Sequence, residues 1–206
     1  MYNPRHFQMN EAAQVARLIA ENPLCALVGP DDQGRSFVTH LPLTLIERPA
    51  TQGGGWVLEG HMARANPHWR WLSSQDEVLA VFTGPDAYVS PRHYDTQLAV
   101  PTWNYLALHV YGRLTLVNSR EEKDDLLKRL IVPHDPDYVA QWNGLPEDFK
   151  HKLLDAIQGF SIEVTRWEGK AKVSQNRATE ERERIQEHVT SEMRLWMKRL
   201  EADSEL

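Results

Sequence analysis

The sequence predicts a mainly β chain with α insertions (α+β): a barrel of six or more antiparallel strands with a C-terminal amphipathic helix. Three observations predict it. Short apolar runs bounded by Gly and Pro recur between residues 24 and 167. Most are joined by segments too short for a crossover helix, which disfavours a doubly wound parallel sheet and favours an antiparallel barrel. After residue 178 the pattern changes to a helical period, with Ile185, Val189, Met193, Trp196 and Leu200 on one side. The expected organisation is therefore a barrel domain over 1–177 and a helix over 178–206 that packs on or beside it.

The elements follow in order. Asn10 is placed to cap a short helix carrying Val15, Leu18 and Ile19, which ends before Asn22-Pro23. LCALVG reads as a buried strand and GPDDQG as a turn. RSFVTHLPLTLI returns as the second arm of a hairpin. Pro42 lies inside that arm, and a residue with no N–H to donate puts it at an edge or a bulge. RPATQGGG is a loop and WVLEGH a strand, and NPHWRWL opens a short helix with Pro67 in its first turn. VLAVFTG and AYVSP read as two strands, and TWNYLALHVYGRLTLV as the longest extended run. Ser119 and Glu122 form a capping box for a helix that buries Leu126, Leu127 and Leu130. Pro146 opens another helix that stops near Gly159, and FSIEVTRW alternates as a half-exposed strand does. Thr179 caps the last helix, with Glu180 and Glu181 at its positive end.

Composition narrows the function classes. The chain has 206 residues and a formal net charge of -6, a balance that argues against bulk nucleic-acid binding through clustered Lys and Arg. No stretch approaches the apolar length of a membrane helix, and the first residues lack the apolar core of a signal peptide. The single cysteine, Cys25, sits in an apolar run and reads as a small core residue, which fits a reducing, cytoplasmic setting. There is no P-loop, no C-x-x-C pair and no G-x-G-x-x-G.

The densest polar motif is GHMARANPHW, residues 60–69, between a strand and a helix. Arg64 stands between the small Ala63 and Ala65, and an arginine there offers a phosphate two parallel hydrogen bonds. Asn66 and His61 add donors. The competing reading is an ordinary polar turn whose Asn caps a helix. A metal reading of His61 and His68 lacks the familiar ligand spacings, so no metal is expected. Ser90 has no G-x-S-x-G elbow, and no residue is assigned a catalytic role. Trp56, Trp69, Trp71, Tyr88, Trp103 and Tyr105 bring aromatic surface to the same part of the chain, suited to a flat heterocycle or to a barrel core. In a strand, Asn104 points away from Trp103 and Tyr105; in a loop all three line a mouth.

Six motifs in order, MYNPRHF, THLPL, GHMARANPHW, FTGPDAYVSP, VPTWNYLALHVYG and KVSQNR, resemble the PaiB family, FMN-binding negative transcriptional regulators. The resemblance runs from residue 1 to about residue 177. It implies an FMN-binding split β-barrel similar in fold to pyridoxamine 5'-phosphate oxidase, a homodimer, and FMN at the subunit interface. It implies that Thr39, His40, Leu41 and Pro42 border the flavin, and that His61, Ala63, Arg64, Ala65 and Asn66 grip its phosphate. The oxidases carry Ser-Arg-Lys where this chain has Ala63-Arg64-Ala65, so one cationic partner is missing. Tyr88 and Ser90 match a strand that reaches the other subunit's flavin, and Trp103, Asn104, Tyr105 and Gln175 match wall positions. The implied partners are FMN, a second copy, and a DNA or regulatory partner, although no helix-turn-helix pattern is present. Two other functions stay open: an FMN-dependent oxidoreductase acting on a small molecule, and a haem-binding split barrel with a histidine on iron.

Overall fold

The apolar runs pair into one antiparallel sheet. The computed structural model describes residues 1–52 and 54–204. Gly53 of the expected loop, and Glu205 and Leu206 of the expected last helix, lie outside the described residues. In chain order the elements are β1 (Gln8–Met9), α1 (Ala12–Glu21), β2 (Leu24–Pro30), β3 (Ser36–Pro42), β4 (Thr44–Glu47), β5 (Trp56–Ala63), α2 (His68–Leu72), β6 (Val78–Val89) and β7 (Thr102–Val117). They continue with α3 (Arg120–Ile131), α4 (Tyr138–Asn143), α5 (Glu147–Asp155), β8 (Ile157–Lys172), α6 (Thr179–His188) and α7 (Ser191–Ser204). The strand order is β3-β2-β6-β7-β8-β5-β4, with β1 pairing β8.

Pro42 ends β3, and the chain re-enters the sheet as β4 at the other end of the strand order. A proline is tolerated there because β3 has a neighbour on one side only. The expected hairpin β2–β3 forms, with Cys25 opposite Leu41 and Leu27 opposite Thr39. Cys25 is buried, and burial pushes its thiol up to about 12, the behaviour of an inert core residue.

The chain forms two compact units. One contains Met1–Val15, Thr83–Leu108 and Glu168–Leu206, and the other Ala16–Phe82 and His109–Trp167. The second unit buries Leu18, Leu27, Leu43, Leu58, Leu72, Phe82 and Phe160. In it α2 packs on β2 at Gly29, where an added Cβ would overlap Leu72 Cδ2 and lie 3.3 Å from His68 Nε2. A glycine here sets how closely α2 approaches the sheet. The first unit buries Met9, Leu106, Ile185, Met193, Trp196 and Met197.

Several elements differ from the sequence expectation. VLAVFTG and AYVSP join into the single strand β6, which runs through Gly84-Pro85. β8 is a long strand that contains Gly159, so that glycine does not stop a helix. α3 buries Leu126 as expected but leaves Leu127 and Leu130 half-buried, and it buries Lys123 instead. The helix after residue 178 is two helices, because Val189 is extended at φ −101, ψ 169. Ala178 occupies the cap position of α6 with no side-chain bond, so Thr179 is not the cap. α1 starts at Ala12, too late for Asn10 to cap it. The Ser119 cap is present: its hydroxyl accepts from the Glu122 N–H and donates to the Glu122 carboxylate.

Candidate functional site

The turn that follows β5 is built almost entirely by its own hydrogen bonds. The Arg64 N–H donates to the Ala156 carbonyl at 2.8 Å, and the Asn66 N–H to the Ala63 carbonyl at 2.9 Å. The Asn66 side-chain oxygen accepts from the His68 N–H at 3.0 Å, so Asn66 does cap the start of α2. Trp69 Nε1 donates to the Arg64 carbonyl at 3.1 Å. Leu72 is fully buried and Trp69 half-buried, which ties the short helix down. One group is left over. The Arg64 guanidinium is exposed and has no hydrogen-bond or ion-pair partner among the described residues. Exposed Ala63 and Ala65 flank it and leave it uncrowded.

Beneath this turn a polar chain joins three elements. Asn66 Nδ2 donates to Thr39 Oγ1 at 3.0 Å, and Thr39 Oγ1 lies 2.8 Å from His68 Nδ1. Thr39 is half-buried on β3, Leu41 is buried, Pro42 is half-buried, and His40 faces solvent. His68 is completely buried, and burial pushes its imidazole down to about 4. Its Nε2 has no hydrogen-bond partner, and neither has the buried Nδ1 of His61 on β5, whose pKa burial also lowers. Both rings are thus held neutral at ordinary pH.

A second cation is close to Arg64, on a helix the capping box predicts but at a position the sequence does not single out. Lys123 on α3 is buried and donates to the Leu154 carbonyl at 2.6 Å. Burial first, and then the positive Arg64, hold its ammonium below the usual lysine range, with Asp155 opposing them. Lys123 thus adds positive potential near Arg64. The capping box marks α3 in the sequence, but nothing local marks one of its lysines as buried.

The remaining expected residues lie in the other unit. Tyr88 and Trp103 meet edge to face, 5.9 Å between centroids, and both are more than half exposed. Ser90 turns its hydroxyl to the Arg92 N–H and starts a one-turn helix. Asn104 lies in a strand and points inward, away from Trp103. It is fully buried, accepting from the Ser174 hydroxyl at 2.9 Å. Gln175 gives its amide to the carbonyls of His6 and Ala171 and accepts from the Val173 N–H, which makes it a clamp on the backbone. Among the described residues no cluster of three metal-ligating side chains occurs, and no helix is long and apolar enough to cross a membrane.

The turn fits a phosphate-bearing cofactor on these observations: a free guanidinium, flanking alanines, a second buried cation, and two orphaned imidazole nitrogens. Comparison with known proteins gives the family and the cofactor. Residues 1–166 match the family described as "Putative FMN-binding domain". The chain is 33% identical over 182 residues to the protease synthase and sporulation protein PAI 2 of Bacillus subtilis, covering 86% of this chain and 83% of that one. In structure it is similar to a FAD- and haem-binding protein from Mycobacterium smegmatis, with a TM-score of 0.65 at 16% identity over 85% of this chain and 78% of that one. It is also similar to the flavocytochrome Anf3 from Azotobacter vinelandii, with a TM-score of 0.62 at 17% identity over 82% and 71%. The mainly β, split-barrel fold with helical insertions is therefore the fold of this chain. The chain belongs to the FMN-binding PaiB family, and FMN is the cofactor that membership gives it.

Proposed function

We propose that Arg64 is the residue that holds the FMN phosphate, and that the protein works as a homodimeric, cytoplasmic PaiB-type regulator lowering transcription directly or through another protein. The single observation behind the first part is the Arg64 guanidinium. The Arg64 and Asn66 N–H groups, the Asn66 carboxamide and the Trp69 indole N–H are all used to shape the turn. In this reading Lys123 supports the phosphate electrostatically, while Thr39, His61 and Asn66 border the flavin. Tyr88 and Trp103 supply aromatic surface for the second copy. FMN, when bound, supplies reversible hydride and electron transfer. The net charge of -6 favours an indirect effect on transcription over docking of this chain alone on DNA.

Flavin titration tests it. Hydrogen bonds to charged groups contribute ~1.5–3 kcal/mol, so Arg64→Ala should weaken FMN by about one to two orders of magnitude. Arg64→Lys should recover only part, since a point charge lacks the planar fork. Riboflavin, which lacks the phosphate, should bind wild type and Arg64→Ala alike. Equal weakening of riboflavin and FMN would make Arg64 a structural residue. A second reading, haem binding, has one observation in its favour, the buried unbonded Nδ1 of His61. It matches what two structural neighbours are described as binding. The absorbance of the purified protein separates flavin from haem.

A further inference from the structure

A cavity of about 190 Å³ lies in the unit that carries the C-terminal helices. Phe7, Tyr94, Val100 and Pro101 give it apolar walls, and Lys172 and Arg177 give it cations. No carboxylate lines it. Three features in or beside it bear on a ligand.

The first is Tyr94. The residue is 8% exposed, and its hydroxyl is buried with no hydrogen-bond partner. Buried hydroxyls are ordinarily bonded, because leaving one unbonded is destabilising. The second is an unbalanced positive charge. Lys172 Nζ donates to the Trp103 carbonyl at 2.7 Å and to the Thr102 hydroxyl, both neutral groups. Lys170, 8% exposed, donates to the Tyr2 carbonyl and faces the rings of Phe7 and Tyr105. Neither lysine pairs with a carboxylate among the described residues; Lys172 is half-buried, and a buried cation such as Lys170 is normally paired. Arg177 differs, since it lies 3.8 Å from Glu181 while stacking on the Tyr94 ring. Burial, with Lys170 next, also holds the Lys172 ammonium below the usual lysine range. The third is backbone strain. Ser174 has φ 62, the one positive φ at a residue other than glycine among the described residues. Such strain persists where the surroundings impose it, and here it places the Ser174 hydroxyl on Asn104 at the cavity wall.

We infer that this cavity binds a small organic carboxylate, its oxygens on the Tyr94 hydroxyl and Lys172 Nζ and its apolar body against Phe7, Val100 and Pro101. The volume falls below the ~300–1,000 Å³ of drug-sized sites, which limits the ligand to about the size of benzoate. The inference stands apart from the Arg64 phosphate reading.

The test titrates benzoate, acetate and inorganic phosphate into the full chain by calorimetry, with thermal melts of the unliganded protein. Benzoate should bind more tightly than acetate, and phosphate more weakly than benzoate. Tyr94→Phe should weaken benzoate about ten-fold and raise the melting temperature of the free protein, because it removes an unbonded buried hydroxyl. Lys172→Met should weaken benzoate by about 10- to 100-fold. FMN affinity should not change in Tyr94→Phe. The inference is overturned if benzoate does not bind at millimolar concentration, or if phosphate outcompetes it. It is equally overturned if Tyr94→Phe lowers the melting temperature with benzoate affinity intact, or if that variant loses FMN and benzoate together.

Discussion

His68 couples the stability of the Arg64 turn to pH. It is fully buried, bonded to Thr39 through Nδ1, and joined to Asn66 through its own N–H. Its folded pKa, about 4, lies below the ordinary 6.5, so the unfolded chain takes up the proton first as pH falls. The stability it confers is therefore complete above about pH 6.5 and is lost as pH falls toward 4, by at most about 3 kcal/mol. Melts between those limits should show wild type losing stability faster than His68→Gln. The variant keeps a residual slope, because burial lowers His61 in the same direction. Parallel curves for the two proteins would remove His68 from this role. The sequence motif contains His68 but does not reveal its place, since its partner Thr39 is 29 positions away. The Arg64 candidate can be read from the sequence because small neighbours and a strand-to-helix junction are local features. Lys123 was not, because its burial depends on the carbonyls of α5 and β8.

At the scale of elements, the contact between α2 and β2 sets the turn. A methyl group at Gly29 would overlap Leu72 Cδ2 and crowd His68, so in Gly29→Ala the buried Leu72 side chain, or α2 with it, must shift. Overpacking of this kind costs about 1–3 kcal/mol. The melting temperature should fall, and FMN should bind more weakly because Asn66 and Arg64 move with the helix. Gly34→Ala is the control. Its φ of +76 strains an alanine, but nothing lies within 4 Å, so it should lower stability and leave FMN affinity unchanged. A Gly29→Ala protein with wild-type stability and affinity would show that α2 does not hold the turn. The strands of this contact were readable from alternation and turn residues. The sequence reads as two strands on either side of Pro85, yet β2 pairs only with residues 79–82 of β6. Past that point β2 requires no N–H from Pro85, so the strand continues. The division of the last helix was equally hidden. The apolar stripe runs through Val189, but the burial of Met193, Trp196 and Met197 is what fixes α7.

For the molecule as a whole, one stretch of one unit brings four exposed large apolar residues together. Tyr88, Leu98, Val100 and Trp103 are 52, 95, 75 and 54% exposed. Large exposed apolar groups so close in sequence mark an interaction surface, and paired aromatics are the residue type that dominates interface energetics. A second copy is the partner the family resemblance implies, and a two-fold contact would bury the same residues from both chains. Sedimentation at micromolar concentration should therefore give twice the 23.8 kDa chain mass. Trp103→Glu puts a charge where the partner's apolar surface would lie, and burying an unpaired charge is strongly unfavourable. That variant should shift the chain to monomer, and it keeps the Trp103 carbonyl on which Lys172 is anchored. Leu195→Glu, at an exposed apolar position on α7 outside the stretch, should leave the dimer intact. The chain charge of -6 makes a second negative group a mild general repulsion in both variants, so only their difference reports the interface. A monomeric wild type, or dissociation by both variants alike, would show that these aromatics face something other than a second copy.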